Sequence, residues 1–164
     1  MPYCSALDNH MCITVDGKWR PCCRYNNFGQ YKIHDISFTD YKQSDWYKKI
    51  QTDMESGWNE GCKKCQAEEQ RGATSLRNIM NTQHRQHNTI QSFEISLSNE
   101  CNLACRMCSP TYSTKWGKLV EDNPQLTAWH SNVTLKKIDV ASVFSGIDLR
   151  ELRILKYLGG EPFI

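Results

Sequence analysis

The sequence predicts an α/β protein with a parallel sheet, preceded by a small cysteine-rich α+β region. Strand-like and helix-like segments alternate over residues 92–164, an order typical of parallel sheets. Six of the nine cysteines lie before residue 66, whereas the other three lie within residues 101–108. A polar segment without cysteine separates the two groups. We therefore predict a cysteine-rich domain over residues 1–70, a polar connector over 71–91 and an α/β domain over 92–164.

Two strands and two helices are predicted in the α/β domain. Phe93, Ile95 and Leu97 alternate with polar residues, which indicates a half-buried strand over residues 92–98. Apolar spacing predicts the other elements, namely helices over residues 112–122 and 139–146 and a second strand over 151–158. This second strand runs directly into a Gly-Gly-Glu-Pro segment over residues 159–162.

The cysteine-rich domain contains a predicted hairpin and a predicted helix. Asp16 and Gly17 separate two strand-like segments and predict a tight turn, because glycine tolerates a positive φ there. Residues 44–56 place apolar side chains at helical spacing. Ser44 is the predicted N-cap of this helix, and Gly57 is the residue predicted to end it.

Composition and charge argue against nucleic-acid and membrane partners. The chain has 20 basic and 18 acidic residues, and the basic residues are not grouped in blocks. No apolar run reaches the roughly 18 residues that a membrane-spanning helix needs. The first residues lack the basic and apolar regions of a signal peptide, so we predict a cytoplasmic protein. In that reducing compartment, nine cysteines indicate metal ligands or catalytic groups rather than disulfides.

Cys101, Cys105 and Cys108 form a C-x3-C-x2-C motif directly after the first predicted strand of the α/β domain. Three thiolates at this spacing can bind three irons of a cubane and leave the fourth iron without a local protein ligand. A cosubstrate can coordinate there, whereas a closed four-cysteine site serves structure or electron transfer. The spacing alone also allows a zinc site that takes a fourth ligand from elsewhere. The position at the carboxyl end of a parallel strand favours the reactive cluster.

The CNLACRMC motif, followed by a strand that ends in GGEP, resembles the radical S-adenosylmethionine superfamily. The resemblance implies that Cys101, Cys105 and Cys108 hold a [4Fe–4S] cluster whose open iron binds S-adenosylmethionine. It also implies reductive cleavage of this cosubstrate to a 5′-deoxyadenosyl radical, which abstracts hydrogen from a substrate. A low-potential donor such as flavodoxin or ferredoxin would supply the electron.

Four further residues would contact S-adenosylmethionine by this resemblance. Gly159, Gly160 and Glu161 would line the site beside the methionine amine, and Met107 would contact the adenine. The two glycines would let the ligand approach the backbone closely. No side chain is predicted to be catalytic beyond the cluster ligands.

The amino-terminal cysteines form a second candidate metal site. A C-x12-G-x4-C pattern from Cys4 to Cys22 precedes a later C-x2-C pair, Cys62 and Cys65. Four thiolates can close around zinc or around an iron–sulfur cluster, and their spacing does not separate these alternatives. The pattern resembles the SPASM/twitch auxiliary-cluster domain in its short, single-cluster twitch form, which implies an iron–sulfur cluster on these four cysteines. Cys23 is an alternative to Cys22 as a ligand.

The two resemblances together imply a partial radical S-adenosylmethionine (βα) barrel, consisting of its first two strands and helices, behind a twitch-like domain. The chain ends two residues after GGEP, so we expect a fragment truncated after the second barrel strand. The auxiliary domain implies a peptide or protein substrate. Two other classes remain as alternatives, a non-catalytic zinc-binding interaction module and a ferredoxin-like electron carrier.

Overall fold

A computed structural model of the protein describes residues 3–26, 31–83, 89–128 and 138–161. Seven α-helices lie in these residues: α1 Ala6–Asn9, α2 Phe38–Gln43, α3 Asp45–Ser56, α4 Lys63–Gln70, α5 Leu76–Gln83, α6 Thr114–Asp122 and α7 Val140–Phe144. The same residues contain four strands: β1 His10–Ile13, β2 Trp19–Arg20, β3 Ser92–Ser96 and β4 Ile154–Leu158. None of the described helices is long and apolar enough to span a membrane.

The four strands form one mixed sheet in the order β2-β1-β3-β4. β1 pairs antiparallel with β2 and parallel with β3, and β3 pairs parallel with β4. This arrangement confirms the α/β class and the parallel pairing of the two carboxyl-terminal strands. The pairing of β1 with β3 was not predicted from the sequence, and it puts strands from both cysteine groups in one sheet. The domain boundaries after residues 70 and 91 stay a prediction.

Local sequence signals account for the hairpin and for α3. Gly17 has a φ of 72° in the turn between β1 and β2, as predicted. The Ser44 hydroxyl accepts a hydrogen bond from the Tyr47 amide and caps α3, which ends at Ser56 before Gly57. Both predictions are confirmed, because each depends on residues that are close together in the chain.

The burial of β3 differs from its prediction. All five residues of Ser92–Ser96 are buried, so the strand is not half-buried. Its polar face carries Glu94, which pairs in register with Cys12 of β1 and with Lys156 of β4. Glu94 is nevertheless buried, and so are Ser92 and Ser96 on the same face. The alternating pattern therefore predicts the strand correctly but overstates its exposure.

An aromatic cluster packs α2 and α3 against the hairpin. Trp19 of β2 stacks on Tyr41 of α2 with ring centroids 6.0 Å apart, and Tyr41 contacts Tyr47 of α3 edge-on at 5.0 Å. All three side chains are almost completely buried. Aromatic contacts of this kind contribute about 1 kcal/mol each beyond the burial of their area. The cluster therefore fixes the segment that follows β2 relative to α3.

The remaining elements are shorter than predicted. α6 begins at Thr114 rather than at residue 112, because the Ser113 hydroxyl caps it by accepting a hydrogen bond from the Trp116 amide. α7 and β4 are likewise shorter than the segments predicted for them. Part of the predicted connector is helical, since α5 lies within it. Residues 84–88 of the connector lie outside the described residues.

Candidate metal centres

Four thiols from three separate segments line one cavity. Cys4 precedes α1, and Cys22 follows β2. Cys62 ends a short 3-10 helix before α4, and Cys65 lies in the first turn of α4. We call the space between these four residues the four-cysteine cavity. The structure thus brings together the four cysteines for which the sequence predicts a shared metal site.

Apolar side chains form most of the wall of the four-cysteine cavity. They include Met54, Trp58 and Met80. An apolar shell of this kind limits the access of water to a bound metal centre and influences its reduction potential.

Burial makes the thiols of the four-cysteine cavity hard to ionise on their own. It raises the pKa of Cys4, of Cys22 and of Cys62 to about 12 each. Backbone amides oppose this shift at two of the three, since Ala6 donates to the Cys4 sulfur and Arg24 donates to the Cys22 sulfur. Metal ligation needs thiolates, so binding of a metal centre here must release the thiol protons.

Gly61 lets the segment that carries Cys62 pack directly on Tyr25. A Cβ atom at Gly61 would lie 2.2 Å from the Tyr25 ring, far inside van der Waals contact. The Asn59 side-chain oxygen accepts hydrogen bonds from the Tyr25 hydroxyl at 2.7 Å and from the Gly61 amide at 2.9 Å. These contacts fix Cys62 relative to Cys22, which lies three residues before Tyr25.

The structure separates two adjacent cysteines that the sequence leaves as alternative ligands. Cys22 lines the four-cysteine cavity, whereas Cys23 lines a groove on the polar face of the sheet together with Cys12 and Glu94. Burial raises the pKa of Cys23, and the neighbouring Glu94 carboxylate raises it further. Cys22 is therefore the one that lies with the other three thiols of the cavity.

The second cysteine group lies on a loop over residues 97–113, which we call the cysteine loop. Cys101 and Cys108 are half-buried on this loop, and Cys105 is exposed. The Cys108 amide donates a hydrogen bond to the Cys105 carbonyl oxygen at 2.9 Å, which closes a turn between them. All three residues lie beyond the carboxyl end of β3.

The first turn of α6 holds the backbone of the cysteine loop. The Thr114 hydroxyl accepts a hydrogen bond from the Cys101 amide and donates one to the Cys101 carbonyl oxygen, both at 3.1 Å. The Trp116 indole N–H donates to the Cys105 carbonyl oxygen at 2.8 Å. Side chains from one helical turn therefore position two of the three cysteines.

The glycines after β4 pack against the cysteine loop. The Gly160 amide donates to the Tyr112 carbonyl oxygen at 2.9 Å, and the Glu161 amide donates to the Glu100 carbonyl oxygen at 2.7 Å. A Cβ atom at Gly160 would lie 2.5 Å from that Glu100 oxygen, and its φ is +63°, so the position requires glycine. The two glycines were predicted to let a ligand approach the backbone closely. In the structure, the backbone of the cysteine loop occupies the space that a Cβ atom at Gly160 would take. Pro162 lies outside the described residues.

Two further observations concern Met107 and the grouping of possible metal ligands. Met107, the predicted adenine contact, is 99% exposed on the cysteine loop. Among the described residues, no three His, Cys, Asp or Glu side chains converge closely enough to hold one metal ion.

Comparison with protein families gives one match, in the amino-terminal part of the chain. Residues 4–66 match the model of SPASM, an iron–sulfur cluster-binding domain. We call this matched segment the SPASM domain. The matched segment includes all four cysteines of the four-cysteine cavity, so it confirms the predicted resemblance and supports iron–sulfur binding by this domain. No curated protein and no solved structure matched the chain.

Three residues that lie beside the two cysteine groups were not predicted from the sequence. Arg24 and Arg77 line the four-cysteine cavity, and Trp116 holds the cysteine loop. Arg24 directly follows two cysteines of the SPASM domain, and this position was the one available signal. Arg77 and Trp116 lie in other segments, so no local pattern connects them with a metal site.

Trp116→Phe removes the indole N–H that donates to the Cys105 carbonyl oxygen but keeps an aromatic ring. We expect the free energy of unfolding to fall by about 1 kcal/mol, the usual contribution of one hydrogen bond. Iron at the metal centre predicted for the cysteine loop should also be released faster, because the backbone at Cys105 is less firmly held. Loss of absorbance after a chelator is added to the anaerobically reconstituted protein measures this rate. Equal rates in the variant and the parent protein would contradict the role of Trp116.

Proposed function

We propose that the chain is a radical S-adenosylmethionine iron–sulfur protein with an auxiliary cluster in its SPASM domain. Cys101, Cys105 and Cys108 would hold the [4Fe–4S] cluster to which S-adenosylmethionine binds. When bound, this cluster supplies the electron that cleaves a carbon–sulfur bond of S-adenosylmethionine to a 5′-deoxyadenosyl radical, which abstracts hydrogen from the substrate.

One observation carries the proposal, namely that the cysteine loop and the Gly-Gly-Glu segment lie side by side. β3 and β4 pair in parallel, so the segments that follow them leave the same edge of the sheet. The hydrogen bonds from Gly160 to Tyr112 and from Glu161 to Glu100 join the two segments directly. Ligands of parallel α/β sheets bind at this edge. Three thiols and an acidic residue therefore share a position suited to a bound cosubstrate.

The residues at this edge would have separate roles. The cysteine loop contains three cysteines and no fourth, so it leaves one corner of a cubane for a cosubstrate. Glu161 would accept hydrogen bonds from the methionine amine, and the backbone of Gly159 and Gly160 would line the same part of the site. Met107 would cover the adenine with its exposed apolar side chain. The hydrogen bonds of the Thr114 and Trp116 side chains to its backbone would keep the cysteine loop in place.

The SPASM domain supports this proposal, because such domains are found in radical S-adenosylmethionine enzymes. We propose that its cluster is bound in the four-cysteine cavity by the thiolates of Cys4, Cys22, Cys62 and Cys65. We further propose a peptide or protein as the substrate. A flavodoxin or a ferredoxin is the electron donor that fits the low potential required.

Anaerobic reconstitution with iron and sulfide, followed by EPR of the reduced protein, tests the proposal. We expect roughly eight iron atoms per chain, from two four-iron clusters. The EPR signal should change when S-adenosylmethionine is added, and 5′-deoxyadenosine should form. The matched control replaces Cys101, Cys105 and Cys108 with alanine, which should leave roughly four iron atoms and no response.

Each competing class of function predicts a different result. Clusters whose EPR signal is indifferent to S-adenosylmethionine would contradict the proposal and support a ferredoxin-like electron carrier. Colourless protein with stoichiometric zinc would contradict it and support a zinc-binding interaction module.

A further inference from the structure

Two arginines line the four-cysteine cavity, and each is paired with a glutamate on α4. The Arg24 Nη1 atom contacts the two carboxylate oxygens of Glu68 at 2.5 and 2.6 Å. The Arg77 Nε atom donates to Glu69 at 2.9 Å, and its Nη2 atom forms a second bond to the same carboxylate. Glu68 and Glu69 follow Cys65 by three and four residues, so both anions lie on the helix that carries this cysteine.

In both ion pairs, the arginine lies on the cavity side and the glutamate does not. Arg24 and Arg77 belong to its lining, whereas Glu68 and Glu69 do not. Apart from the cysteines, the other lining side chains carry no charge. Among the residues that the structure describes, the two guanidinium groups are therefore the charged groups that face the four thiols.

Neighbouring groups hold Arg77 in this orientation. Its Nη1 atom donates to the Tyr3 carbonyl oxygen at 2.7 Å, and its guanidinium carbon lies 5.1 Å from the centre of the Trp58 ring. The Ser75 hydroxyl donates to Glu69 at 2.5 Å and so helps to keep the carboxylate in position. The Arg77 side chain is only 13% exposed, so water screens its charge weakly.

We propose that Arg24 and Arg77 raise the reduction potential of the cluster in the four-cysteine cavity and so suit it to electron transfer. This cluster becomes more negative by one charge when it accepts an electron from a low-potential flavin or iron–sulfur donor. A fixed cation beside the cavity stabilises the reduced form more than the oxidised form, which raises the potential. The inference rests on the SPASM part of the proposed function and is independent of S-adenosylmethionine chemistry.

An anaerobic redox titration of the full chain, followed by EPR, tests this inference. Every sample carries alanine at Cys101, Cys105 and Cys108, so that only the cluster of the SPASM domain contributes. Arg77→Gln should shift the midpoint potential to a more negative value, because it removes a cation from the cavity. Glu69→Gln should shift it to a more positive value, because Arg77 then keeps its charge without the neighbouring anion. A general loosening of the site would not produce shifts of opposite sign.

Two further variants serve as controls. Arg71→Gln makes the same charge change as Arg77→Gln. Arg71 is an exposed residue that directly follows α4, the helix that carries Glu69, and its Nε atom donates to the Ala67 carbonyl oxygen at 3.0 Å. Arg71 does not line the cavity, so its replacement should leave the potential unchanged. Arg77→Lys keeps the charge and should give a potential close to that of the parent protein. If Arg77→Gln loses the cluster, the midpoint potentials of Arg77→Lys and Glu69→Gln still test whether Arg77 raises the reduction potential.

Iron content is measured for every variant alongside the potential. Shifts of Arg77→Gln and Glu69→Gln in the same direction, or unchanged potentials with full iron content, would overturn the inference. Parent protein without iron in the four-cysteine cavity would overturn the cluster assignment of the SPASM domain, and this inference with it. The iron analysis distinguishes that failure from a wrong electrostatic role of the arginines.

Discussion

Cys22→Ser is expected to remove the cluster of the SPASM domain and with it roughly half of the bound iron. The Cys22 sulfur lines the four-cysteine cavity with three other thiols and accepts a hydrogen bond from the Arg24 amide. In the proposed site, serine at this position breaks a closed set of four cysteine ligands. Loss of a metal site lowers the free energy of unfolding by about 4 kcal/mol or more. Iron and sulfide analysis, together with anaerobic unfolding, measures both effects.

The adjacent cysteine provides the matched control for this experiment. Cys23 lines the polar groove rather than the four-cysteine cavity, so Cys23→Ser should keep the full iron content. Loss of iron in Cys23→Ser with retention in Cys22→Ser would show that Cys23 is the ligand. Retention in both variants would show that the cluster does not lie in this cavity.

Gly160→Ala is expected to disrupt the contact between β4 and the cysteine loop and to abolish the EPR response to S-adenosylmethionine. The added Cβ atom would lie 2.5 Å from the Glu100 oxygen and 3.0 Å from the Ser98 oxygen. Both are backbone atoms, so the loop itself must move to relieve the overlap. Together with the left-handed backbone conformation, this overlap should lower the free energy of unfolding by about 3 kcal/mol.

Gly146→Ala separates the backbone effect from the contact with the cysteine loop. Gly146 also has a positive φ, of 76°, but a Cβ atom there would meet nothing within 4 Å. Its replacement should cost about 1 kcal/mol from the backbone alone and leave the EPR response intact. Chemical denaturation of both variants and EPR with S-adenosylmethionine provide the comparison. Equal losses of stability and unchanged EPR in both would contradict the close approach at Gly160.

Features that depend on neighbouring residues could be predicted from the sequence. The cap of α3 by Ser44 and the turn at Gly17 are examples, because a cap or a tight turn involves residues that are close in the chain. The cysteine loop was recognised for the same reason, since its three thiols lie within eight residues. The likeness of the amino-terminal cysteines to the SPASM domain was also recognised, and the family comparison confirms it.

Features that depend on packing between distant segments could not be predicted in this way. The spacing of Cys22 and Cys23 does not tell which of them lies with Cys4, because the direction of each side chain follows from how the hairpin packs. The orientation of Arg77 toward the cavity depends on contacts with Tyr3 and other residues far away in the chain.

The sequence by itself determined the α/β class, the hairpin, the main helix of the SPASM domain and the two groups of cysteines. Only the tertiary structure decided that β1 joins β3 in one sheet and that the glycines after β4 pack on the cysteine loop. It also decided which thiols and which arginines share the four-cysteine cavity. The physical reason is that helix caps, turns and closely spaced ligands arise within a few residues, whereas strand pairing, burial and the orientation of charges arise when distant segments pack together.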